Sequence, residues 1–219
     1  LQNGSDDSSG KPYTYDVAMQ SLFGRLNYDY DGKYLFEANL RSDGSSRFAK
    51  GHRWGAFPSF SAGWNIHKES FLEKLSMLSE LKVRASWGTL GDAEKVGYYA
   101  TAQVLNYNPK IYSFNDILVG GAFNNMAINN SITWEVSEMT NVGVDFGIYD
   151  QKIKFSLDYF NNLRKDILYQ PPVPKEFGLS APYSNLLKMR NRGMEFLVMY
   201  DDNSGNWNWG VDMNASFSK

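Results

Sequence analysis

The side chains that could do chemistry are few and scattered. His52 and His67 occur without an H-E-x-x-H pairing and without a carboxylate at ligand spacing, so no metal site is expected. Acid pairs such as Glu135 and Glu138 invite comparison with glycosidase carboxylates. The chain has no cysteine, which removes disulfides, thiolate zinc sites and cysteine nucleophiles together. It has neither a G-x-S-x-G elbow nor a phosphate-cradling G-x-x-x-x-G-K, and Gly91 and Gly120-Gly121 read as loop punctuation. Neither catalysis nor a cofactor is therefore expected. Binding is the better prospect, because Tyr98, Tyr99, Tyr107, Tyr112 and Phe114 gather in one long connection, where their faces could stack on sugar rings. With 22 basic against 24 acidic residues, no net field favours a nucleic acid, and none is expected as a partner.

The elements that must carry these residues alternate with period two. Leu22, Gly24, Leu26, Tyr28 and Tyr30 share one face of a strand, with Phe23, Arg25, Asn27 and Asp29 on the other; Tyr34, Phe36, Ala38 and Leu40 repeat the pattern. A three-residue turn Tyr30-Asp31-Gly32, with Gly32 left-handed, predicts a hairpin that opposes Tyr28 to Tyr34, Leu26 to Phe36, Arg25 to Glu37 and Asp29 to Lys33. Six further alternating runs centre on Phe60, Val83, Val144, Leu157, Phe196 and Val211, giving about eight antiparallel strands.

Connection lengths choose among all-β architectures. Ser42–Trp54, Thr89–Ile132 and Asn162–Arg190 are long, whereas the Gly32 turn, Tyr149–Lys152 and Asp201–Asn206 are short. Long loops at one end and short turns at the other are the habit of outer-membrane barrels. The remaining connection, Lys68–Glu80, is expected to hold a short helix near 71–78, capped by Ser70 and Glu73, with Phe71, Leu72, Leu75 and Leu78 as its apolar stripe. Leu26, Tyr28, Tyr34, Phe36, Trp64, Val144, Phe146, Trp207 and Trp209 then form a membrane face with an aromatic girdle at the short-turn end. Arg25, Glu37, Arg41, Arg84, Asp145 and Asp158 line a hydrated lumen wall, with Arg25 and Glu37 a cross-strand pair. No run reaches the roughly 20 apolar residues of a spanning helix. The first residues carry no leader pattern, and both ends fall on the long-loop side, so a barrel segment is expected rather than a closed barrel. A soluble all-β carbohydrate-binding module, with the apolar face as a sandwich core, is the alternative.

Several ordered stretches also resemble the SusC/RagA family of TonB-dependent outer-membrane transporters. They are Ser21-Leu22-Phe23-Gly24-Arg25-Leu26-Asn27-Tyr28, Arg41-Ser42-Asp43-Gly44-Ser45-Ser46-Arg47-Phe48, Phe57-Pro58-Ser59-Phe60-Ser61-Ala62-Gly63-Trp64, Leu81-Lys82-Val83-Arg84-Ala85-Ser86-Trp87-Gly88, Thr133-Trp134-Glu135 and Asn191-Arg192-Gly193-Met194-Glu195. The resemblance implies that residues 1–219 are part of a roughly 22-stranded multi-pass barrel in the outer membrane of Bacteroidota, without its plug and closing strands. It implies nutrient uptake, with a SusD-like surface lipoprotein over the mouth, the TonB complex acting through the missing plug, and an oligosaccharide or peptide as substrate. Membrane lipid would be the remaining partner. In that setting Glu135 is structural at a strand start, and the loop aromatics either contact substrate or seat the lid.

Overall fold

The described residues form ten strands, eight of them from the alternating runs. In a computed structural model that describes residues 16–72, 75–98, 100–102, 105–124, 126–202 and 207–219, they are β1 (Met19–Tyr30), β2 (Tyr34–Ser45), β3 (Trp54–Asn65), β4 (Leu78–Asp92), β5 (Asn106–Phe114), β6 (Ile117–Phe123), β7 (Glu135–Ile148), β8 (Ile153–Tyr169), β9 (Ser184–Asp202) and β10 (Trp209–Ser218). Eight of them make one sheet in the order β1-β2-β3-β4-β7-β8-β9-β10, while β5 and β6 pair only with each other. Every neighbouring pair in the large sheet is antiparallel. Residues directly opposite one another share a face, so the registers carry each face across the sheet. One row runs Phe36, Ala62, Ala85, Val142, Tyr159, Met194 and Phe217. The adjacent row on the other face runs Glu37, Ser61, Ser86 and Asn141.

The end asymmetry holds. Residues 31–33, 66–77, 149–152 and 203–208 connect strands at one end, and 46–53, 93–134 and 170–183 at the other. The strands run further toward the long-loop end than sequence alternation shows, above all β8 and β9, which absorb much of the expected Asn162–Arg190 loop. The long connection also contains the β5–β6 hairpin, whose turn Asn115-Asp116 takes positive φ at both residues (51° and 61°), the geometry of a tight hairpin turn.

Two expectations are corrected. The first hairpin closes with Tyr30 opposite Tyr34, Tyr28 opposite Phe36 and Arg25 opposite Asn39, a shift of two residues. The loop is Asp31-Gly32-Lys33, because Asp31 (φ 56°) joins Gly32 (φ 58°) in the left-handed region. Asp29 does not oppose Lys33; its Oδ1 accepts from the Gly32 amide at 2.7 Å. A slip of two preserves the faces, so every side-chain orientation assigned from parity stands. The second correction is the short helix near 71–78. A 3-10 turn occupies Ile66–Lys68, and the amides of Leu72, Leu75 and Leu78 each bond the carbonyl three residues back. These successive turns lead straight into β4, and too few residues remain for an α-helix; Glu73 of the expected cap lies outside the described residues.

Among the described residues, no second sheet covers the apolar face. Leu26 is 63% exposed and Trp209 54%. A sandwich core would bury both, so the all-β soluble module is excluded as an architecture. The core among the described residues sits instead at the long-loop end of the polar face. There Phe48, Phe57, Val96, Ile132, Trp134 and Leu168 are buried together.

Candidate functional site

The polar face carries a network of ion pairs and hydrogen bonds. Arg84 on β4 is its hub. Its Nε lies 2.9 Å from Asp145 Oδ2, its Nη2 lies 2.6 Å from Asp158 Oδ2, and Ser156 Oγ donates to Asp145 Oδ1 at 2.7 Å. Gly143 makes this possible: it stands between Arg84 and Asp158 in the register. A Cβ there would sit 2.6 Å from Asp158 Oδ1 and 2.7 Å from Arg84 Cζ, so a side chain would separate the two. Nearer the edge, Arg25 Nε donates to Asn39 Oδ1 at 2.7 Å and approaches Glu37 only at 3.8 Å, so the expected cross-strand pair is a diagonal, largely solvated one. Asn39 ties the row together, donating to Glu37 Oε1 (2.7 Å) and Ser59 Oγ (3.3 Å). Arg41 holds Asp43 at 2.7 Å and donates to Ser21 Oγ at 3.2 Å. Between these charged groups lies a groove of about 650 Å³, lined by amides and hydroxyls such as Asn39, Ser59, Ser86 and Asn141 together with the carboxylates of Glu37 and Glu195.

At the long-loop end the wall becomes a clamp. Phe57 breaks the polar pattern of its face and packs edge-on to Trp134 (ring centroids 5.5 Å), which also meets Phe48 at 5.0 Å. Trp134 Nε1 donates to the Arg53 carbonyl at 3.1 Å, so the buried indole is satisfied. Arg47, next to Phe48, places Nη1 within 2.9 to 3.1 Å of the carbonyls of Ala93, Glu94 and Val96, and its guanidinium lies 5.0 Å from the Tyr98 ring centre. Glu135 is buried at the start of β7. Its carboxylate takes Arg164 Nη2 at 2.6 Å, the Leu168 amide at 2.9 Å and Lys95 at 3.8 Å, and the same Arg164 reaches Asp92 at 2.8 Å. Both ends of the long connection are thus fastened to the wall.

Of the loop aromatics, Tyr98 and Tyr112 are about half exposed. Tyr98 sits at the base of the connection beside Arg47; Tyr112 lies on β5 opposite Val119. Tyr107 and Phe114 also belong to β5, and Tyr99 lies outside the described residues. Among the residues assigned to the outer face, Tyr34 stacks on Trp64 (6.1 Å), Trp209 meets Tyr200 (5.1 Å), and Trp207 precedes β10 and is largely exposed. Sequence reasoning missed Arg47, Phe48, Phe57 and Arg164. A large ring on the polar side of a strand, as at Phe57, was the available signal; Arg164 fell in a stretch read as loop.

A sheet of this kind, apolar on one face and polar on the other, built from an up-and-down meander with its longest connection, 93–134, at one end, has counterparts among known proteins. The family model described as TonB dependent receptor-like, beta-barrel matches residues 2–219. The chain belongs to the TonB-dependent receptor β-barrel family. TonB-dependent receptor SusC of Bacteroides thetaiotaomicron is 36% identical over 190 residues, 85% of this chain and 19% of that protein. TonB-dependent receptor P3 of Formosa agariphila is 30% identical over 224 residues, 100% of this chain and 22% of that protein. The RagAB peptide importer in its closed-closed state superposes with a TM-score of 0.80 at 26% identity, covering 92% of this chain and 22% of that one. The chain is therefore a SusC/RagA-type segment of an outer-membrane β-barrel, and it spans about a fifth of the length of the curated relatives it matches. These relatives are receptors and transporters, not enzymes.

Proposed function

We propose that this TonB-dependent receptor segment is part of the wall and mouth of an importer whose full-length form carries a plug in its lumen, draws energy through TonB and works with a SusD-like surface lipoprotein. The row from Phe36 to Phe217 meets lipid, and the row of Glu37, Ser61, Ser86 and Asn141 faces water inside the barrel. The observation that carries the reading is the fastening of the long connection: Glu135, Arg164, Arg47 and the Phe48–Phe57–Trp134 cluster hold both its ends against the inner wall, so β5 and β6 are raised from a fixed base at the mouth. The substrate is an oligosaccharide or a peptide. The Asn and Ser side chains that line much of the groove support this, because hydroxyls and amides find partners there, and the neighbouring Arg84, Asp145 and Asp158 are engaged with one another. Tyr98 and Tyr112 are the exposed rings placed to touch substrate or lid.

The test replaces residues 106–123 of the full-length protein with a short Gly-Ser linker. The expected result is an unchanged amount of heat-modifiable barrel in the outer membrane, with uptake of labelled oligosaccharide or peptide lost. Uptake at the parental rate would reject the role of this connection.

A further inference from the structure

The connection from β3 to β4 carries more apolar surface than a turn needs. Phe71 is 68% exposed, Leu75 54% and Met77 53%. Both ends of this segment lie on the outer side of the sheet. At its start, the Glu69 carboxylate accepts from Tyr34 Oη at 2.7 Å and from Trp64 Nε1 at 3.1 Å, two residues of the outer aromatic band. At its end, Leu78 pairs with Ile148, in the outer row that also holds Phe146, and the Tyr149 amide donates to the Met77 carbonyl at 3.0 Å. Tyr149 is itself about half exposed. The segment is thus tied at its start to Tyr34 and Trp64 on β2 and β3 and at its end to the outer side of β7. Its lysines, Lys68 and Lys74, alternate with the apolar residues along the sequence.

We propose that Phe71, Leu75 and Met77 form an interfacial anchor, seated at the boundary between headgroups and acyl chains in the inner leaflet of the outer membrane. Continuity with the lipid-facing rows identifies lipid as the occupant, so the inference rests on that assignment of faces. An apolar segment lying in the interface buries its rings and aliphatic chains at the acyl boundary while lysines reach the headgroups. The anchor fixes the depth of the barrel at the place where Tyr34, Trp64 and Tyr149 meet the same boundary.

The test uses the full-length protein in phospholipid nanodiscs. The chain described here has no cysteine, and any cysteine elsewhere is replaced by serine before single spin labels are placed at Phe71→Cys or Leu75→Cys. Leu26→Cys is the lipid reference and Asn208→Cys the water reference. Power saturation with oxygen and with a water-soluble nickel chelate reads depth. Labels at 71 and 75 are expected to favour oxygen over the nickel chelate, close to the Leu26 label. Nickel accessibility equal to that of the Asn208 label would place the segment in water and overturn the proposal. Protection from both reagents would mean a protein partner or plug covers it, and would overturn it equally. Should Phe71→Cys fail to assemble, Leu75→Cys answers alone. A Leu26 label found in water would instead reject the face assignment, which separates that failure from failure of the anchor.

Discussion

Glu135 shows how one residue changes meaning between sequence and structure. As half of an acid pair with Glu138 it invited a catalytic reading, yet the two are held apart by their partners: Glu138 is engaged by Lys165 and Trp87, Glu135 by Arg164, Lys95 and the Leu168 amide. A buried carboxylate so ringed is a rivet. Glu135→Ala leaves the Leu168 amide without a partner and deprives Arg164 of its nearest counter-charge, a loss on the order of 1–3 kcal/mol. The drop is read as thermal unfolding of the full-length barrel in detergent, where Glu135→Gln, which keeps an acceptor for the amide, is expected to lose less. Equal losses would show that the amide bond contributes nothing. The hairpin register is the complementary case, since Gly32 was recognisable as left-handed but nothing in the residue types told that Asp31 would join it.

Among the elements, the short turns are tied to one another as firmly as the strands. Asn65 donates from Nδ2 to the Gly32 carbonyl at 2.6 Å and from its amide to the Lys33 carbonyl at 2.8 Å, so the β1–β2 turn is bound to the end of β3. Glu69 completes the knot. Donation from Tyr34 and Trp64, with Lys33 nearby, holds its carboxyl below its ordinary value of 4.5. A lowered folded value means that the ionised form stabilises the fold: the contribution is present above pH 4.5 and fades as pH falls through the lower folded value. An acid-induced change in Trp64 emission is therefore expected below that pH, and Glu69→Gln is expected to abolish its pH dependence. Persistence of the same transition in Glu69→Gln would assign it to another group. The expected helix over 71–78 failed at this scale because its apolar spacing, sound as a pattern, belongs to a segment pinned at Glu69 and again at Leu78, and i to i+3 turns span that gap.

For the whole molecule, the decisive quantity is which solvent each face of the sheet meets. Val142 lies midway along β7 on the outer side, opposite Ala85 and Tyr159. A cation there sits near the membrane midplane, so Val142→Arg is expected to cost roughly 2–4 kcal/mol. Glu37→Ala on the water-facing side is expected to change little, because its nearest charged partner is the exposed Arg25 at 3.8 Å. Yield of heat-modifiable barrel in the outer membrane measures both. Comparable losses would mean the faces are exchanged or that both are water-exposed. Among the described residues, β1 and β10 each pair on one side only.

Residue order alone determined the period-two strands, their two faces and the end at which long connections gather, because alternation and turn chemistry are local and tolerate a register slip of two without changing sides. Tertiary structure decided what depends on residues distant in the chain. Arg84 reaches Asp158 across Gly143, Phe57 meets Trp134, Arg47 gathers carbonyls from a loop beyond β4, and Glu69 finds Tyr34. None of these has a periodic signature, since each contact exists only once the sheet has brought separate strands and loops into register.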